Sequence, residues 1–77
     1  MNRERRKNLR GIADQLEELK ASLEELQSEE EEYRDNIPEN MQGSERYEAA
    51  EEAIGNIESA VSSIEEACSY IEEATGG

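Results

Sequence analysis

Seventy-seven residues and 8.7 kDa allow one small domain or a pair of helices, not two domains. Twenty-one acids against eight bases leave a formal charge of −13, which opposes direct binding to bulk nucleic acid. One Cys and no His exclude a Cys/His zinc site, a disulfide framework and a His-based catalytic centre.

The chain opens on the basic run Arg3, Arg5, Arg6, Lys7 and Arg10. No hydrophobic core of a signal peptide follows it, and no apolar run reaches the ~18 residues of a membrane span. A cytoplasmic protein with a reduced cysteine is therefore expected. From Leu9 onward apolar residues recur in steps of three and four: Leu9, Ile12, Leu16, Leu19, Leu23 and Leu26. This is a heptad seam with Leu9, Leu16 and Leu23 at a and Ile12, Leu19 and Leu26 at d. It predicts a first helix over about 3–35.

Residues 36–44 then read as a loop. Pro38 cannot continue a helix interior and pushes Ile37 out of helical geometry. Residues 38–41 suit one helical turn, with Ile37 and Met41 plugging the end of the seam. Ser44 is a natural N-cap, with Glu45 and Glu48 placed to meet the helix dipole. A second seam follows: Tyr47, Ala50, Ile54, Ile57, Val61, Ile64, Cys68 and Ile71. It predicts a second helix over about 45–74, stopped by Thr75-Gly76-Gly77.

The short connection favours antiparallel neighbours, so 1–77 is expected to be a single all-α helical hairpin. Pairing residues whose numbers sum to about 80 sets Leu9 on Ile71, Leu16 on Ile64, Leu19 on Val61, Leu23 on Ile57 and Leu26 on Ile54. Tyr33 then meets Tyr47, and Glu30 falls opposite Ala50. Antiparallel coils oppose e with e, which brings Lys20 and Arg34 to Glu51, Glu58, Glu65 and Glu72. The basic N-terminus would lie beside Glu65, Glu66, Glu72 and Glu73.

Two helices cannot fully bury one seam, so association is the natural remedy. Ala53, Ala60, Ala67 and Ala74 recur every seven residues, and Tyr70 widens the same side. Small side chains let another helix approach closely, which suggests a homodimer forming a four-helix bundle. Alanine is also simply a good helix former on a boundary. Gly11 and Gly55 stand on the outer faces.

Charge is the strongest functional signal. Residues 1–10 carry +4, and residues 11–77 carry −17. Glu17/Glu18, Glu24/Glu25 and Glu31/Glu32 repeat every seven residues, and Glu51/Glu52, Glu65/Glu66 and Glu72/Glu73 add to them. Eighteen acids along a rod of ~40 Å give about one charge per 2.2 Å. Duplex DNA carries one per ~1.7 Å. A rod of this kind is drawn to basic channels built for nucleic acid, although a charged helix face also serves solubility alone. The Arg3–Arg10 cluster is read either as compensation for the acidic end of the second helix or as a patch for an anionic nucleotide. Calorimetry against cyclic nucleotides separates these two.

Catalysis is not expected. Paired carboxylates need a cleft to split their pKa values, and these acids belong to solvated helix faces. No EF-hand spacing or Glu-x-x-His motif is present, and no metal or cofactor is anticipated. Cys68, at an a position, reads as a small core hydrophobe.

The stretch NIPENMQGSERYE (36–48), set between an acidic Leu heptad and Glu-Ala-Ile repeats, resembles small hairpin proteins of bacteriophages and mobile elements of Gram-positive bacteria. The resemblance implies an accessory role in a bacterial host cytoplasm and transfers no catalytic residue. In style such proteins are similar to anti-CRISPR and anti-restriction inhibitors. The expected function is inhibition of a basic nucleic-acid-binding or defence protein through Glu17, Glu18, Glu24, Glu25, Glu31, Glu32, Glu51, Glu52, Glu65 and Glu66. The alternative is a self-associating structural or adaptor coiled coil, and a lesser one an oligomeric sponge for an anionic nucleotide signal held at Arg3, Arg5, Arg6, Lys7 and Arg10.

Overall fold

The computed structural model describes residues 1–41 and 43–76. Two helices, α1 (Arg3–Asp35) and α2 (Glu45–Ala74), flank a single 3-10 turn at Glu39–Met41. They lie side by side in a rod of 59 × 15 × 14 Å, longer than the ~40 Å expected, so the acids are spread more thinly along it than the phosphates of a duplex. Each begins where its local chemistry dictates. The Asn2 side chain accepts the Arg5 backbone N–H at 2.8 Å, and the Ser44 hydroxyl accepts that of Tyr47 at 3.4 Å. Both caps satisfy donors that the first helical turn leaves unpaired. α2 ends at Thr75, whose hydroxyl donates to the Glu72 carbonyl, before Gly76 turns to φ +86°. Only glycine enters that left-handed region without strain. Gln42 and Gly77, parts of the expected loop and helix stop, lie outside the described residues.

The helices run antiparallel, and three contacts along their length show it. Arg34 Nη1 donates to Glu51 Oε1 at 3.2 Å, Gln27 Nε2 donates to Glu58 Oε1 at 3.2 Å, and Cys68 Sγ lies 4.0 Å from the Ala13 carbonyl. The first two join e positions, in the axial register that sums of about 80 predict for the seam.

Rotation of α1 about its axis differs from that expectation. The side of α1 turned toward α2 carries the a row, Leu9, Leu16 and Leu23, together with the e row, Ala13, Lys20, Gln27 and Arg34; these are half-buried. The d row faces outward: Ile12, Leu19 and Leu26 are 47, 57 and 54% exposed. Leu19 and Leu26 thus do not close over Val61 and Ile54. The reason is visible at the e row, where Arg34 and Gln27 pack with their polar ends on Glu51 and Glu58 of α2, while Lys20 packs its stem and pairs with Glu17 of α1 instead of the expected α2 glutamate. Met41 is also exposed, so Ile37 alone plugs the loop end.

The core is correspondingly thin. Among the described residues, Ile37, Ala50, Ile54 and Val61 are the buried apolar side chains, and α1 contributes none of them. A Cβ added at Gly11 or Gly55 would meet nothing within 4 Å, and neither residue has a positive φ. Gly11→Ala and Gly55→Ala are each expected to stabilise the protein by about 1 kcal/mol. A thermal melt followed by circular dichroism checks this, and unchanged or lowered midpoints contradict it.

Candidate interaction faces

The hairpin has two unlike sides. One carries the e–e contacts. Here Lys20 pairs with Glu17 at 3.5 Å, and Arg34 with Asp35 at 3.1 Å and Glu51 at 3.2 Å. Glu17 above all, with Glu65 and Glu24, holds the Lys20 ammonium above its ordinary pKa against a smaller opposing effect of desolvation. Cys68 lies on the same side. Desolvation first, then the Glu17 carboxylate, pushes its thiol up, so it is an unactivated side chain.

The opposite side is marked by Tyr33 at d of α1. Arg46 of α2 donates from Nε to the Tyr33 hydroxyl at 3.0 Å and stands 5.7 Å from the ring centroid. That contact joins the d row of α1 to the row of α2 that holds Ala53, Ala60 and Ala67. The three alanines are half-buried, as are Ile57, Ile64 and Ile71 beside them. Ala74 and Tyr70 are exposed, Tyr70 to 64%. The small-residue row therefore forms one half of a wider apolar face. Ile12, Leu19 and Leu26 form the other half, which the heptad register assigns to the interior.

This face is almost free of charge. From Ala53 to Ile71 the acids of α2 are Glu58, Glu65 and Glu66, at e and f, away from it. Beside the d row of α1 stand Asn8, Gln15 and Ser22, with Glu29 near the loop.

The acidic residues Glu17, Glu18, Glu24, Glu25, Glu51, Glu52, Glu65 and Glu66 are exposed; Glu31 is half-buried and Glu32 exposed. Of these only Glu17 and Glu51 take part in an ion pair among the described residues. Arg3, Arg6, Lys7 and Arg10 share one stretch of surface with Gly11 and Asp14. Among the described residues no ion pair joins Arg3, Arg5, Arg6, Lys7 or Arg10 to Glu65, Glu66, Glu72 or Glu73. The expected compensation is therefore not made by direct ion pairs, although Arg10 lines one groove with Ile71, Glu72 and Thr75 of α2.

Charge is also uneven along the rod. Residues 24–58, the loop half, carry thirteen acids and two bases, or −11; residues 1–23 and 59–77 together sum to −2. Among the described residues there is no cluster of three metal-ligating side chains, and no helix is long and apolar enough to cross a membrane.

These features define an acidic, antiparallel helical hairpin with one apolar face. No protein-family model matches the chain, and neither a curated protein nor a solved structure matches it.

Proposed function

We propose that the protein acts by contact: its acidic faces dock onto a basic surface of a partner protein, in competition with nucleic acid. The observation that carries this reading is the row of exposed, largely unpaired carboxylates along a 59 Å rod. Such an array attracts a cationic groove at a distance and is repelled by nucleic acid itself. A bacterial nucleic-acid-binding or defence protein is the partner class proposed, and a phage or mobile element the proposed source, in keeping with the loop resemblance. The site is Glu17, Glu18, Glu24, Glu25, Glu31, Glu32, Glu51, Glu52, Glu65 and Glu66.

The test is capture from bacterial lysate at low and high salt, with duplex DNA as competitor. The expected result is one basic nucleic-acid-handling protein, released by salt and by DNA. A variant with Glu17, Glu18, Glu24 and Glu25 all changed to Lys is expected to lose that partner while keeping its helical signal. Equal capture by the variant would refute the acidic-face reading.

A second reading, a self-associating adaptor forming a four-helix bundle, is favoured by the exposure of Ile12, Leu19 and Leu26. The two are compatible, since the apolar and acidic faces are separate.

A further inference from the structure

We infer that the apolar face is covered by a second copy of this chain, and that the two rods lie antiparallel, loop end against open end. This rests on the self-association reading and not on the basic partner.

Three observations select the occupant. First, the hairpin is incomplete alone: α1 buries no residue, while Ile12, Leu19 and Leu26 form an outward row. Second, the face is charge-poor in a chain of −13. A basic partner finds little to grip there, whereas another acidic rod can approach with both carboxylate arrays turned away. Third, the size fits. The row from Arg5 to Tyr33 spans about 42 Å at 1.5 Å per residue, and across the 15 Å rod this gives a footprint of about 600 Å², the lower end of the range for specific interfaces.

Charge selects the orientation. Parallel rods would set one −11 loop half against another. Antiparallel rods set each loop half against the N-terminal cations of the other copy. The d row of α1 then matches itself about a two-fold axis at Leu19, near mid-rod. Leu19 meets Leu19 of the other copy, Ile12 meets Leu26, and Arg5 meets Tyr33, where the carboxylates of Glu29 and Glu32 outnumber the one cation, Arg46, already on the ring. A row reading Arg5, Ile12, Leu19, Leu26, Tyr33 is thus complementary to its own reverse, as an isologous interface requires.

Sedimentation equilibrium of the full chain at micromolar concentration is the first measurement. A mass of two chains is expected, and a monomer overturns the proposal. Arg5→Glu and Glu32→Lys are then compared singly and together. Each reversal improves the match of α1 to its own dipole, so weaker association cannot be ascribed to a weaker helix. Each alone is expected to raise the dimer dissociation constant about tenfold, since two-fold symmetry counts it twice. The double variant is expected to recover most of the loss, and no recovery overturns the antiparallel pairing. Spin labels at Glu39→Cys, with Cys68→Ala, read the orientation directly. A separation approaching the 59 Å rod length is expected, and one comparable to the 15 Å rod width overturns it.

Discussion

Ile54→Ala is expected to abolish cooperative folding of the hairpin near room temperature. Ile54 is 5% exposed and is one of only four buried apolar residues among those described. Isoleucine-to-alanine changes in cores cost about 2–5 kcal/mol, and small domains hold as little as about 5 kcal/mol in total. Circular dichroism against temperature reads the result directly. A sigmoidal melt within a few degrees of wild type would mean that the stabilising contacts lie elsewhere than the Ile37–Ala50–Ile54–Val61 cluster. The opposite face supplies an internal control. Truncating Ile12, 47% exposed, is expected to matter little to a single hairpin and to weaken only the proposed association of two copies.

Raising the ionic strength from about 10 mM to 0.5 M is expected to raise the melting temperature by about 10 °C. Near the loop, Glu25/Glu29, Glu29/Glu32, Glu31/Asp35, Glu32/Asp35, Glu45/Glu48, Glu48/Glu51 and Glu48/Glu52 stand three or four residues apart on their helices. Each like-charge pair costs roughly 0.2–0.5 kcal/mol, so together they weaken the fold by on the order of 2 kcal/mol. For a chain of this size 1 kcal/mol moves the midpoint by about 4–8 °C. Screening over a few ångströms at high salt removes much of this repulsion. The Arg34–Asp35 and Arg34–Glu51 pairs are screened as well, but they are two attractions against seven repulsions. A midpoint that falls with salt would show that ion pairs, not repulsion, dominate the loop end.

The helices and their ends are legible in the sequence because each depends on short-range chemistry. Steps of three and four define the apolar stripes, Pro38 and Ser44 punctuate them, and Gly76 ends the second. The axial register is legible too, since Arg34 and Gln27 find Glu51 and Glu58 where opposed e positions place them. What the heptad does not encode is the angle at which α1 presents itself. Its a row is flanked by leucines on one side and by Ala13, Lys20, Gln27 and Arg34 on the other, and either flank can close a seam with a. The glutamates of α2 decide in favour of the second. An apolar stripe announces that Leu19 and Leu26 are to be covered, but not whether the cover is the neighbouring helix or another molecule. For the same reason the alanine row reads in sequence as a face of its own, when in three dimensions it continues into the d row of α1.

The lopsided charge along the rod has a kinetic consequence. With −11 in the loop half and only −2 in the rest, a single hairpin has a large dipole moment along its axis. A cationic surface therefore exerts a torque as well as a pull, and the molecule is turned loop-first before contact. Two rods laid head to tail cancel that dipole. The proposed dimer would no longer rotate into line as it approaches, and it would offer identical acidic tips at both ends, giving each encounter two chances to be productive.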